Sequence, residues 1–163
     1  MDTSVRSGYH QRMVLDSLDT AILARLEQDG RATHAAIGRE VGLTGPAVFA
    51  RVRRMEEGGL IRGYRVDIDR SKLGMPLTAF VRVTTRPIKV ETDSFEPFVW
   101  SENRILECHD VASDDTFILK TQCESPEDLR DLLMHIRARP QVIRTSTSVA
   151  LAIIKEPGLR PKK

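Results

Sequence analysis

Between residues 30 and 61 the chain is broken so often, and at such regular points, that only a small helical unit can be built from it. Gly30 closes one amphipathic stretch, Gly42 a second, and the Gly58–Gly59 pair a third. Thr33 and Thr44 stand where an N-cap hydroxyl would satisfy a free backbone N–H, an interaction worth about 1 kcal/mol, and Pro46 falls in a first turn, where its missing N–H matters least. Ile37 and Val41 give the middle segment a buried stripe, and Val48, Val52 and Met55 give the last one its own. Two short helices joined through residues 42–44 form the helix-turn-helix pattern. Gly38 lies inside the first of them, where Gly is weaker than Ala by up to about 1 kcal/mol. We expect a close crossing by the third helix to require it.

At 100° per residue, turning Val48, Val52 and Met55 inward points Pro46, Ala50 and Arg53 outward. Ala47, Arg51 and Arg54 lie on one shoulder and Phe49 on the other. The first turn of such a helix enters the major groove and arginines further along reach phosphates. The expected DNA-contacting set is therefore Arg39, Thr44, Gly45, Pro46, Ala47, Phe49, Ala50, Arg51, Arg53 and Arg54. Ala47, Phe49 and Ala50 can touch a thymine methyl, but none makes bidentate hydrogen bonds to a base edge. Groove shape and bendability should then carry much of the preference. Four phosphate-reaching arginines in each half of a dimer would give log K a slope of about −7 against log salt.

Composition adds little to this argument. Net charge is only +2, and residues 1–64 hold nine Lys/Arg against eight Asp/Glu, so arrangement rather than total charge must attract a polyanion. No apolar run is long enough to span a bilayer and residues 1–14 lack the apolar core of a secretory signal, so a cytoplasmic location with no membrane partner is expected. Cys108 and Cys123 lack metal-ligand spacing, and the neighbours Cys108, His109 and Asp110 would alternate between the faces of a strand. Neither a hydrolase triad nor a phosphate-binding loop is present. The expectation is a protein that is not an enzyme, with no catalytic or metal-binding residues and no cofactor.

Ahead of the punctuated region, Leu15, Leu18, Ile22 and Leu26 mark a further helix, so residues 15–62 read as one DNA-binding unit behind a flexible segment 1–14, with Leu60 and Ile61 as a buried pair. Residues 63–68 alternate as a strand, giving a winged-type arrangement, and residues 63–76 form the linker, with a hinge at 69–76. Beyond it, residues 77–85, 105–111, 116–123 and 142–154 read as strands. Helices fall near 94–100, with Phe95, Phe98 and Val99 inward, and after Ser125–Pro126, with Leu129, Leu132, Leu133 and Ile136 inward. The order β-α-β-β-α-β is ferredoxin-like, with both helices on one sheet face. The fold class is α+β: a winged-type helix-turn-helix followed by a ferredoxin-like βαββαβ domain at 77–156 and a basic tail at 157–163. Phe80, on the open face, is a candidate for dimer contact.

The stretches Leu15-Asp16 to Asp29-Gly30-Arg31, Ile37-Gly38 to Val41-Gly42-Leu43-Thr44, and Arg51-Val52-Arg53-Arg54-Met55-Glu56-Glu57-Gly58-Gly59-Leu60-Ile61 resemble the Lrp/AsnC family of transcriptional regulators, and the resemblance covers nearly the whole chain. It implies double-stranded DNA as partner, a dimer that assembles further, commonly to an octamer, and a small-molecule effector, often an amino acid. The segments matching the family's effector site contain Ser113, Asp114, Thr116, Thr145 and Thr147. Ser113 replaces the family's usual Gly and Thr116 a frequent Asp, so the pocket is either narrowed or rebuilt. Two other readings stand beside this one: a tetrapyrrole-modifying decarboxylase of the same architecture, and a protein-binding sensor with a degenerate DNA domain.

Overall fold

The computed structural model describes residues 13–86 and 95–155. The expectations for residues 1–12 and for the basic tail lie outside these, as does Ser94 at the start of a helix. The chain divides into two compact units, with the boundary between Asp67 and Ile68.

The first unit holds α1 (Ser17–Gln28), α2 (His34–Val41) and α3 (Gly45–Glu57). Asp16 caps α1 by accepting from the Asp19 N–H at 2.8 Å, while the Asp19 carboxylate accepts from the Asp16 N–H at 3.2 Å, so two free donors are satisfied reciprocally. Thr33 and Thr44 cap α2 and α3 through their hydroxyls. Gly42 ends α2 at φ +73°, a left-handed geometry that side chains resist. Ile22, Ile37, Val48, Val52 and Met55 are fully or almost fully buried, with Leu15, Leu23 and Leu26 packed around them. Each such aliphatic side chain contributes about 1.5–3 kcal/mol.

Three expectations change in this unit. On α1 it is Leu23, not Leu18, that joins the core, because the helix rotates to bury Asp19. Leu60 is exposed rather than buried. Residues 63–68 form no ladder among the described residues, and Tyr64, Val66 and Ile68 are exposed. The alternation was real, but a strand needs a neighbour to take its N–H and C=O groups. The Tyr64 hydroxyl ties this segment to α3, donating to Glu56 at 2.9 Å.

The second unit opens on a 3-10 turn, Arg70–Leu73, where a hinge was expected. Asp69 caps it, and Gly74 leaves it at φ +83°. Then follow β1 (Leu77–Thr85), α4 (Phe95–Ser101), β2 (Ile105–Asp110), β3 (Phe117–Cys123), α5 (Pro126–Arg137) and β4 (Val142–Val149). The sheet order β2-β3-β1-β4, with every pairing antiparallel, is the ferredoxin-like arrangement. Ala79, Val81 and Val83 of β1 and Leu119 and Cys123 of β3 meet Phe95 of α4 and Leu129, Leu132 and Ile136 of α5 in one core. β4 stops at Val149 rather than 154: Ala150 still donates to the Thr78 carbonyl at 2.9 Å, but Leu151 and Ile154 stand exposed.

The other sheet face is more polar than an open apolar face. The register places Phe80 beside Lys120 and Ser148, and Arg82 beside Ile118 and Ser146. Glu107 lies 3.6 Å from the Lys120 ammonium and 3.1 Å from the His109 ring. Phe80 remains 41% exposed, a large apolar group in charged surroundings.

Candidate nucleic-acid interface

The helix-turn-helix angle is set by backbone contact. A Cβ on Gly38 would run into the carbonyl oxygen of Leu43, whose own N–H donates to the Gly38 carbonyl at 2.8 Å. The crowding group is thus the turn, not the third helix as the sequence led us to expect. At Gly45 a Cβ would sit 3.5 Å from Ala35, an ordinary van der Waals contact, so the close approach between α2 and the turn into α3 is made at Gly38.

Val48, Val52 and Met55 are buried, so Pro46, Ala50 and Arg53 form an exposed ridge along the opposite side of α3. Gly45 and Ala47 are half-buried beside it, and the Thr44 hydroxyl is spent on the Ala47 N–H at 3.3 Å. Phe49 is 49% exposed, but its ring is tilted against His34 with centroids 5.5 Å apart. Arg39 on α2 is exposed, with no ion-pair partner among the described residues.

The arginines separate sharply. Arg53 is exposed and, among the described residues, forms an ion pair only with Glu57 one turn on, at 2.7 Å, a contact worth little in water. Arg51 turns inward: its Nη1 lies 2.7 Å from Asp16 and 2.8 Å from Asp19. Arg54, half-exposed, also donates to Asp19. Burial alone would raise the Asp19 carboxyl, but the hydrogen bonds from Arg51 and from the Asp16 N–H, with the charge of Arg54, hold it below the usual carboxylate range. The guanidinium of Arg51 is correspondingly raised by Asp16 and then Asp19. Asp19 is the residue the sequence reading missed; the signal was the Asp-x-x-Asp opening α1, hidden because Leu18 seemed to claim the inward face.

In the second unit the five expected effector residues do not converge. Ser113 and Asp114 are exposed in the turn between β2 and β3. The Ser113 hydroxyl closes that turn on itself, donating to the Asp115 carbonyl at 3.1 Å and accepting from the Asp115 N–H at 3.2 Å. Among the described residues no non-glycine residue has positive φ, so serine is unstrained at Ser113. The Thr116 hydroxyl accepts from the Thr85 N–H at 3.0 Å, and that of Thr145 from Arg137 at 2.8 Å. Thr145 and Thr147 pair with Val83 and Val81, which puts them on the helix-covered face, where the Thr147 hydroxyl is buried without a partner among the described residues. The anchored acid of the turn is Asp115, which accepts from Thr84 at 3.1 Å and from Arg144 at 3.4 Å. A cleft of about 590 Å³ lies elsewhere in this unit, walled by Val99, Trp100, Ile105, Cys108, Asp110 and Phe117, and none of the five residues lines it. No cluster of potential metal ligands occurs among the described residues.

A trihelical unit with an exposed ridge on its third helix, in series with a helix-covered antiparallel sheet, defines a two-part DNA-binding transcriptional regulator. Residues 15–56 match the AsnC-type helix-turn-helix domain, and residues 78–159 the Lrp/AsnC ligand binding domain. The leucine-responsive regulatory protein of Salmonella typhimurium is 34% identical over 146 residues, covering 87% of this chain and 88% of that protein. The solved structure of LrpC from Bacillus subtilis superposes with a TM-score of 0.79 at 30% identity, covering 88% and 99% of the two chains. The feast or famine regulatory protein of Mycobacterium tuberculosis, solved with L-methionine, gives 0.81 at 30% identity, covering 90% and 99%. The chain belongs to the Lrp/AsnC family. Its relatives are transcriptional regulators, which sets aside the decarboxylase reading, and no helix among the described residues is long and apolar enough to cross a membrane.

Proposed function

We propose that the protein is a cytoplasmic, dimeric regulator whose α3 lies in the major groove of double-stranded DNA and whose sheet unit binds an amino-acid effector. The observation that carries the DNA reading is the ridge of Pro46, Ala50 and Arg53, exposed on a helix whose other side is fully committed to the core. Pro46 and Ala50 allow close backbone approach, while Arg53 and Arg39 supply charge to phosphates. Hydrogen-bonding side chains are scarce on this ridge, so shape and bendability of the duplex dominate selection. Residues 15–62 form the DNA-binding unit and residues 77–156 the dimerisation and effector unit. Phe80 on the open sheet face supports pairing of two copies there, with assembly toward an octamer beyond it.

The effector reading is supported by the match to a ligand binding domain and by the mycobacterial relative solved with L-methionine. Asp114, exposed and without an ion-pair partner among the described residues, is the free carboxylate of the turn and suits an ammonium group. The hydroxyls of Ser113, Thr116 and Thr145 already have partners, so a ligand there would have to exchange bonds with them.

The test is salt dependence. With Arg39 and Arg53 reaching phosphates in both halves of a dimer, four contacts give a slope of about −3.6 and a loss of roughly 150-fold between 50 and 200 mM salt. A slope near zero would reject this function and favour a sensor that binds only proteins, while equal affinity for all sequences would reject selection by the duplex's shape.

A further inference from the structure

Arg51 was expected to face DNA, yet of the three arginines on α3 it is the one most deeply engaged within the protein. Its Nη1 serves two carboxylates at 2.7 and 2.8 Å, one of them, Asp19, with a side chain only 1% exposed. Both Asp19 oxygens are occupied: Oδ1 by Arg51, Oδ2 by Arg54 and the Asp16 N–H. Asp16 in turn caps α1. The cluster joins the N-terminus of α1 to the flank of α3 through residues 32 to 35 positions apart in sequence, and its two arginines and two aspartates cancel in charge. The Nη1 of Arg51 is taken by two carboxylates, and a phosphate approaching the rest of the guanidinium would meet their negative charge, which offsets that of the arginine.

We infer that Arg51 is a positioning residue: through Asp16 and Asp19 it locks the start of α1 to the side of α3 and aims the Pro46, Ala50 and Arg53 ridge, without itself meeting a phosphate. This rests on α3 being the DNA-docking helix. Arg53, 64% exposed on the outward ridge, is the contrasting case of a contact arginine.

The experiment measures binding of the full-length protein to a preferred duplex and to a scrambled one across a salt series, with folding of each variant checked by thermal unfolding. Arg51→Gln is expected to weaken preferred-site binding by roughly tenfold, leave scrambled-site binding nearly unchanged, and keep the wild-type salt slope. Arg53→Gln is expected to reduce the slope by about 0.9 per copy, so roughly 1.8 per dimer. Arg51→Lys serves as the second variant should the glutamine protein not fold. A lysine satisfies a phosphate as a point charge but lacks the rigid planar group that holds Nη1 between Asp16 and Asp19, so selectivity should fall even though the charge is kept. The Asp19→Asn and Arg51→Gln losses should not add when combined. A slope that falls by about 1.8 in Arg51→Gln and returns in Arg51→Lys would overturn the inference, as would selective binding indistinguishable from wild type in both. A wild-type slope near zero would instead remove the docking reading itself, before any variant is compared.

Discussion

Replacing Gly38 by alanine sets two known effects against each other in one methyl group. Helix propensity alone favours the change by up to about 1 kcal/mol. The structure opposes it, because the new Cβ would overlap the Leu43 carbonyl oxygen, a backbone atom that cannot rotate aside as a side chain would. The Leu43 N–H bond to Gly38 holds that segment against the helix, so relief requires moving the whole turn and, with it, α3. Overpacking of this kind typically costs about 1–3 kcal/mol, and a rigid opponent places it toward the upper end. We expect a net destabilisation of about 2 kcal/mol, or roughly 8–16 °C in the melting temperature of a unit this size. Gly42→Ala is the control. Nothing lies near its added Cβ, and only the positive φ resists, at about 1–2 kcal/mol. Scanning calorimetry of the full chain should rank Gly38→Ala below Gly42→Ala in stability, and Gly38→Ala should also lose selective DNA binding. A melting temperature at or above wild type for Gly38→Ala would refute the claim that this glycine fixes the helix-turn-helix angle.

Asp19 has a lowered folded-state pKa, so its stabilisation is present above the unfolded carboxyl value of about 3.9 and is lost as pH falls through the lower, folded value. Urea midpoints of wild type and Asp19→Asn should therefore differ by a constant amount near neutrality and converge in acid; a gap that widens on acidification would contradict this. Leu132→Ala removes a fully buried side chain from the sheet unit and should cost about 2–5 kcal/mol, measured by urea unfolding, while an effect below 0.5 would deny the packing described. Phe80→Lys places a second cation beside Lys120 on the open sheet face and should shift sedimentation toward monomer, whereas an unchanged dimer would move the interface elsewhere. Calorimetric titration should find saturable binding of L-methionine or another amino acid, and silence across all twenty would remove the effector reading.

What could be read from the sequence follows from how local each cause is. Caps, glycine stops and apolar periodicity depend on neighbouring residues, and Thr33, Thr44, Gly42 and Ser125 stand in the structure where the sequence put them. Features that depend on distant partners were hidden. Asp19 is buried because Arg51 and Arg54 arrive from more than thirty residues away, and nothing in the period of α1 announces them. Residues 63–68 carry a strand's alternation, but alternation does not supply a pairing partner. The turn at Ser113 to Thr116 could be located by resemblance, whereas the commitment of the Thr116 hydroxyl and the Asp115 carboxylate depends on where β1 lies beside it.

The structure of the full chain bound to its tightest-binding duplex tests the central claim most directly. The account predicts Pro46 and Ala50 against base edges in the major groove, Arg53 at a phosphate, and Arg51 still joined to Asp16 and Asp19. A complex in which α3 faces solvent while another surface holds the DNA would contradict it.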